Sequence, residues 1–182
     1  MSDKSKTYGF ADQDLNKRFE FRTILLNEAE QAVEIEQVCF PPNEACSEQM
    51  MKDRIEVAAD LFFVAVDKKD GRIAGFLNGL ATDEHSLRDE FFTNATLYNP
   101  TGKNVMILGL ALLPEYQKQG LAKELMFQYL QKEYKKGRKM VVLTCLESKV
   151  KMYEKMGFEN HGIGESTWGA EQWYEMSCVL NI

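Results

Sequence analysis

The stretch that decides the fold of this chain is residues 105–122, with the sequence VMILGLALLPEYQKQGLA. It begins with an apolar run at 105–113, which is typical of a central strand buried on both faces. Pro114 ends the run, because proline cannot donate a ladder hydrogen bond. Gly120 then opens a segment that ends near Tyr134 and has apolar residues at helical spacing. The stretch therefore predicts a buried strand that passes through a short turn into an amphipathic helix.

Periodic segments on both sides complete the predicted order of elements. In chain order they are a strand at 19–26, helices at 27–38 and 47–59, strands at 61–66 and 72–80, the strand and helix quoted above, a strand at 140–145, a helix at 147–156 and strands at 158–164 and 173–180. This order predicts an α/β fold with one mixed sheet, in which the strands joined by the turn at 68–71 are antiparallel. We expect residues 1–18 to form an N-terminal tail and residues 19–182 to form a single domain.

The composition argues against several classes of partner. The formal net charge of −6 argues against nucleic acid, which is held by clustered Lys and Arg side chains. Cys39, Cys46, Cys145 and Cys178 are widely spaced, so the pattern predicts free thiols and neither a metal site nor a redox motif. No apolar run approaches the roughly 18 residues of a membrane span. We therefore expect no membrane or metal partner and a cytoplasmic location.

The turn at 115–122 carries the first chemical signal. Small residues at Gly120 and Ala122 let a ligand approach the backbone closely, and N–H groups at a helix start favour an anion such as a pyrophosphate. A plain strand-to-helix turn, with Gly120 needed only for tight packing, explains the same residues. The local segment leaves both interpretations open.

A second motif adds a family resemblance. The strand VMILGLALL, the loop PEYQKQGLA and the segment SKVKMYEKMGFE at 148–159 together resemble the core signature of the GCN5-related N-acetyltransferase (GNAT) superfamily. Within it, the segment CFPPNEA at 39–45 and the spacing from Cys145 to Tyr153 resemble arylalkylamine N-acetyltransferases, the serotonin-acetylating group. The resemblance spans residues 19–180. It implies a central, mostly antiparallel sheet flanked by helices, acetyl-CoA as the acetyl donor, and transfer to an amine.

The resemblance also implies which residues hold the coenzyme. Strand backbone at 110–112 would pair with the pantetheine arm as an added strand does, and the N–H groups of 117–122 would hold the pyrophosphate. The implied cofactor-binding residues are Leu110, Ala111, Leu112, Gln117, Lys118, Gln119, Gly120, Leu121, Ala122 and Lys123.

The resemblance implies Tyr153 as the catalytic acid that protonates the departing thiolate, and the Leu112 N–H as the group that polarises the carbonyl. The general base departs from the family pattern. Arylalkylamine acetyltransferases place histidines at positions that are Met106 and Leu108 here, and neither side chain titrates. Candidates come from flanking segments at 44 and 83–85, and we rank Glu44 and His85 first as catalytic residues.

We expect a small primary amine, such as an arylalkylamine or a polyamine, ahead of a protein N-terminus or lysine. Side chains that could form an apolar wall for it are Phe40, Met50, Phe62, Phe76, Phe92, Trp168 and Trp173. A module that senses acyl-CoA without turnover is the alternative, because the base is missing. A nucleotide-binding domain is a further alternative, which the lack of GxGxxG argues against. Homodimers are common in the superfamily, but no interface motif supports one here.

Overall fold

The computed structural model describes residues 12–181, which form one seven-stranded sheet flanked by helices. The strands are β1 (Phe19–Thr23), β2 (Phe62–Asp67), β3 (Ile73–Thr82), β4 (Asn104–Leu112), β5 (Met140–Cys145), β6 (Glu159–Ile163) and β7 (Tyr174–Val179). The helices are α1 (Gln13–Arg18), α2 (Ala29–Cys39), α3 (Glu48–Ala58), α4 (Glu90–Thr93), α5 (Leu121–Lys135) and α6 (Val150–Lys155). Every residue of β2 and β3 is buried, so both faces of the sheet are covered at its centre.

The sheet confirms the predicted fold class and element order. Its strands are arranged β1-β2-β3-β4-β5-β7-β6, and every neighbouring pair is antiparallel except β4 and β5. The pairing of β2 with β3, predicted from the turn at 68–71, runs antiparallel from Phe62 opposite Asn78 to Val66 opposite Ile73. The result is the mixed, mostly antiparallel sheet that the family resemblance implies.

The structure differs from the sequence analysis at the N-terminus, where part of the predicted tail is folded. Residues 13–18 form α1, and the Asp12 carboxylate caps this helix by accepting from the backbone N–H groups of Asp14 and Leu15. Leu15 is only 9% exposed, and Asn16 donates to the Glu124 carboxylate of α5 at 3.0 Å. The folded unit therefore includes α1. The rest of the predicted tail, residues 1–11, lies outside the described residues.

The parallel pair at the centre of the sheet is short. β4 and β5 pair only at Asn104–Met140, Val105–Val141 and Met106–Val142. Just beyond, the register between β3 and β4 shifts, so that Leu108 is an extra residue on β4. A bulge of this kind bends its strand and increases its twist. β5 stays paired with β7 along its whole length, and the two central strands separate.

Two further features concern the chain as a whole. The cysteines at 39, 46, 145 and 178 form no disulfide bond within residues 12–181, in agreement with the predicted thiols. Within residues 12–181, no helix has the length and apolar character that crossing a bilayer requires.

Candidate active site

A cleft of about 640 Å³ lies where β4 and β5 separate. The outer half of β4 and the end of β5 form its two sides, and the start of α5 closes one end. Residues of α2 and the loop after it, of α6 and the turn before it, of the segment between β6 and β7, and Phe92 of α4 complete the lining. The split sheet, the turn before α5 and Tyr153 therefore all border one cavity.

The backbone of β4 presents a free edge to this cleft. Along an antiparallel strand, the backbone N–H and C=O groups of every second residue bond to one neighbouring strand, and those of the residues between point toward the opposite side. Because the Leu113 N–H bonds Ala74 O at 2.9 Å, Leu112 and Leu110 direct their backbone groups away from β3, into the gap toward β5. Ala111 pairs with β3 instead. Of the three predicted pantetheine residues, the geometry thus suits Leu110 and Leu112.

The Leu112 carbonyl is held by two side chains. It accepts hydrogen bonds from Gln117 Nε2 at 3.0 Å and from Cys39 Sγ at 3.1 Å. These contacts tie β4 to α2 and to the turn before α5. Because the carbonyl oxygen is already bonded, the N–H is the backbone group of Leu112 that is available to a ligand in the cleft.

The start of α5 has the features of an anion site. Gly120 is the N-cap residue with φ +83°, a left-handed conformation that glycine adopts without steric cost, and no side chain caps the helix. The first backbone bond of the helix runs from Glu124 N to Gly120 O, so the N–H groups of 121–123 have no partner within the helix. Lys118 and Lys123, which flank this helix start in the sequence, also border the cleft. These groups fit a pyrophosphate.

Tyr153 lies on α6, is 9% exposed, and packs edge-on against Phe158 with ring centroids 5.9 Å apart. Burial raises the pKa of its phenol well above the ordinary value, and the nearby Cys145 makes a smaller contribution in the same direction. The hydroxyl makes no hydrogen bond to the residues at 12–181, and the side chain borders the cleft. It is therefore a protonated donor at neutral pH, free to meet a ligand atom.

Of three further residues predicted for the site, one borders the cleft and two do not. Glu44 borders the cleft, and burial together with the charge of Glu171 raises its carboxyl pKa. His85 is exposed in the loop after β3 and lies outside the cleft lining, so the structure does not bring it to Tyr153. The Gln119 side chain turns away from the cleft, where its Oε1 accepts from Arg18 at 2.9 Å.

The other two carboxylates weighed as general bases are engaged elsewhere. Asp83 accepts from the backbone N–H of Lys103 at 2.9 Å. Glu84 accepts from Arg88 Nε at 2.7 Å, which lowers the pKa of its carboxyl. Neither residue borders the cleft.

Four members of the predicted apolar wall border the cleft: Phe40, Phe92, Trp168 and Trp173. Trp168 stacks on Phe92 with centroids 4.8 Å apart, its Nε1 donates to Glu44 O at 2.8 Å, and Trp173 Nε1 donates to Trp168 O at 2.7 Å. Phe40 borders the same end. The remaining members, Phe62, Phe76 and Met50, lie outside the lining, and the two phenylalanines are core residues.

Sequence reasoning missed Glu36 of α2. This carboxylate is 3% exposed and borders the cleft; one oxygen accepts from Cys46 N at 2.9 Å, and Oε2 has no partner in the described part of the chain. Burial raises its pKa, partly offset by the Cys46 N–H and by the charge of Arg54. The spacing held a signal, because Glu36 lies four residues after Ala32 and one after Ile35, on the buried side of α2.

The parallel strands β4 and β5 thus separate beside the start of α5, which no side chain caps. A family model described as the acetyltransferase (GNAT) family matches residues 29–158, more than half of the chain. The chain belongs to the GNAT acetyltransferase family. In this GNAT protein, no three His, Cys, Asp or Glu side chains among residues 12–181 are grouped as a metal site would need.

A curated acetyltransferase is similar to this chain in sequence. The serotonin N-acetyltransferase of Mesocricetus auratus is 29% identical over 113 residues, which cover 62% of this chain and 53% of that enzyme. The chain thus matches about half the length of this curated relative.

Among solved structures, the loading GNATL domain of CurA from Lyngbya majuscula has a TM-score of 0.74 at 16% identity, covering 89% of this chain and 98% of that one. The phosphinothricin acetyltransferase of Sinorhizobium meliloti, solved with acetyl-CoA, has a TM-score of 0.65 at 16% identity, covering 90% and 89%. At these identities the two structures show the shared fold.

Proposed function

We propose that this GNAT protein transfers the acetyl group of acetyl-CoA to a small primary amine of the arylalkylamine or polyamine type, by direct attack in a ternary complex. The observation that carries the proposal is the cleft between β4 and β5, which has an unpaired strand edge on one side and an uncapped helix start at one end. Such a cleft offers hydrogen bonds to an extended amide chain and to a pyrophosphate.

The residues for the coenzyme follow from this geometry. Leu110 and Leu112 would bond the amides of the pantetheine arm, in the way an added strand is bonded. The N–H groups at 121–123 would hold the pyrophosphate, with Lys118 and Lys123 adding positive charge. When bound, acetyl-CoA supplies the thioester that the amine attacks.

Four groups of the cleft support direct transfer. The Leu112 N–H would donate to the carbonyl oxygen of the thioester as it gains charge, and the Tyr153 hydroxyl would donate to the departing sulfur. The thiols of Cys39 and Cys145 have pKa values raised to about 11 by burial, so both stay protonated at neutral pH. A protonated thiol is a poor nucleophile, which argues against an acetyl-cysteine intermediate.

The opposite end of the cleft supports the acceptor class. Phe92, Trp168 and Trp173 form an aromatic wall, and the carboxylates of Glu36 and Glu44 lie in the same lining. An aryl group would pack against the wall while a cationic amine faces the carboxylates. The relative named for serotonin acetylation is in keeping with such an acceptor.

The direct test measures release of free thiol from acetyl-CoA with 2-phenylethylamine, hexylamine, spermidine and a lysine peptide. We expect turnover with the small amines and little with the peptide. Trp168→Ala should lower kcat/KM for 2-phenylethylamine by about 10-fold relative to hexylamine, because an aromatic contact is lost. Tyr134→Ala, on a part of α5 that is remote from the cleft, is the matched control and should change neither value.

Two outcomes would contradict the proposal. If acetyl-CoA binds but no amine releases thiol, the protein is better described as an acyl-CoA sensor. If only the peptide is acetylated, the acceptor is a protein amine and the assignment of a small amine is wrong.

A further inference from the structure

A buried polar cluster lies beneath the acceptor end of the cleft. It consists of Glu36 from α2, Cys46 from the following loop, Arg54 from α3 and Asn78 from β3. Arg54, at 2% exposure, donates to Phe92 O at 2.9 Å, to Cys46 Sγ at 3.1 Å and to Asn78 Oδ1 at 3.4 Å. The cluster therefore joins α2, α3 and β3 directly behind the aromatic wall.

Three atoms of this cluster are unsatisfied. Glu36 Oε2, Arg54 Nε and Asn78 Nδ2 are buried and have no hydrogen-bond partner among residues 12–181. Most buried polar atoms in native proteins are paired with protein or ordered water, so three unpaired atoms in one place need an explanation. A ligand or a water molecule that bonds to them would supply one.

Two of these atoms, Glu36 Oε2 and Asn78 Nδ2, lie near the same residue of β4, Gly109. A methyl group built on Gly109 would lie 3.9 Å from Glu36 Oε2 and 3.2 Å from Asn78 Nδ2. Gly109 follows the bulge at Leu108, where β4 has left β5, and it borders the cleft together with Glu36. A side chain at position 109 would therefore lie between the cleft and these two atoms, and glycine leaves that position unfilled.

Arg54 balances the charge of Glu36 without a hydrogen bond to it. The guanidinium is close enough to lower the Glu36 pKa, but its Nη atoms bond other groups. The titratable groups around Glu36 are Arg54 on α3, Cys46 on the loop after α2 and Cys39 on α2 itself. From β3 and β4 it is faced by Asn78 and Gly109, which do not titrate.

We propose that Glu36 is the general base of the reaction: its carboxylate binds the ammonium group of the acceptor and takes its proton, directly or through one water molecule that Asn78 Nδ2 holds. This inference rests on the proposed function, and it assigns the base to a residue outside the candidates predicted from the sequence. In this proposal Glu44, which also borders the cleft, is not the base, and its negative charge attracts the cationic acceptor.

The proton balance is as follows. One ammonium proton passes to Glu36, and the neutral nitrogen forms the C–N bond while the C–S bond breaks. The second proton leaves the nitrogen to solvent as the amide forms. Tyr153 protonates the thiolate and is reprotonated by solvent, and Glu36 releases its proton to solvent. The sum is one amide, one free thiol and one proton released.

The test compares Glu36→Gln with wild-type protein, using the amine of highest rate in the panel. A general base contributes about 100-fold or more, so kcat/KM should fall by at least that factor while the Kd for acetyl-CoA stays within twofold. Wild-type kcat/KM should also fall at acid pH through a Glu36 ionisation above pH 4.5, because a protonated carboxyl cannot accept a proton. Glu36→Gln should lack this acid limb. Glu34→Gln, on the exposed side of α2, should match wild type in rate and pH profile.

A second variant covers a failure of Glu36→Gln to fold. Glu36→Ala should lose activity and regain part of it in sodium formate, but not in sodium chloride of equal ionic strength. If Glu36→Gln keeps the wild-type rate and acid limb, or formate restores nothing, the role of Glu36 is overturned while the proposed function stands. If wild-type protein acetylates no amine, both fall together.

Discussion

Replacing Tyr153 with phenylalanine is expected to lower kcat for acetyl transfer by about 100-fold or more, while the Kd for acetyl-CoA stays within twofold. The substitution removes only the hydroxyl group, so the ring keeps its edge-on contact with Phe158. What is lost is the proposed donor to the departing sulfur, whose hydrogen bond would matter in the transition state and not in the bound complex. Thiol release under saturating acetyl-CoA and amine measures kcat, and isothermal titration measures the Kd.

The matched control for this prediction is Tyr174→Phe. Tyr174 lies opposite Cys145 on the neighbouring strand β7 and is outside the cleft lining, so it is next to a lining residue without bordering the cleft itself. Its removal should leave kcat unchanged. If Tyr153→Phe has the kcat of wild type, then water protonates the sulfur and Tyr153 only packs the cleft.

Replacing Gly120 with aspartate should raise the Kd for acetyl-CoA by about 10-fold to 100-fold, because a carboxylate a few ångströms from a pyrophosphate repels it. The backbone adds to this effect. Gly120 has φ +83°, and a residue with a Cβ in that conformation costs about 1 kcal/mol, which would distort the start of α5. Because salt screens the repulsion, the loss should be smaller at 0.5 M sodium chloride.

The other end of α5 supplies the control. Gly137 has φ +85°, and nothing lies within 4 Å of a Cβ built on it, so Gly137→Asp introduces the same charge and a similar backbone strain far from the cleft. It should lower the stability of the protein by about 1 kcal/mol without changing the Kd. Equal losses of affinity in both variants would mean that the coenzyme phosphates do not bind at the start of α5.

The sequence predicted the fold, and it predicted the strand and the turn that border the cleft, because both depend on local patterns. The continuous apolar run at 105–113 is typical of a strand in the centre of a sheet, and residues 105–112 of it lie in β4. Gly120 precedes an amphipathic segment, and it is the N-cap residue of α5. Such patterns depend on residues a few positions apart, which is the range over which secondary structure is encoded.

The sequence failed where stability comes from distant contacts. Helix α1 has the sequence QDLNKR, with Leu15 as its single apolar residue, and nothing in this pattern predicts a folded segment. It is held by burial of Leu15 and by the bonds from Asp12 N and Asn16 to Glu124, more than one hundred residues away. Most short helices in proteins are stabilised by tertiary packing of this kind rather than by their own propensity.

The sequence by itself determined the order of the elements, the buried strand β4 and the turn that opens α5, because each is encoded in neighbouring residues. Only the tertiary structure decided which acidic side chain is buried beside the cleft. Glu36, Asn78 and Gly109 meet there from positions spread over 74 residues, since α2 packs on β3 and β4 at the bulge. Burial and an unpaired oxygen, which distinguish Glu36 from the other carboxylates, are properties of packing and leave no local pattern in the chain.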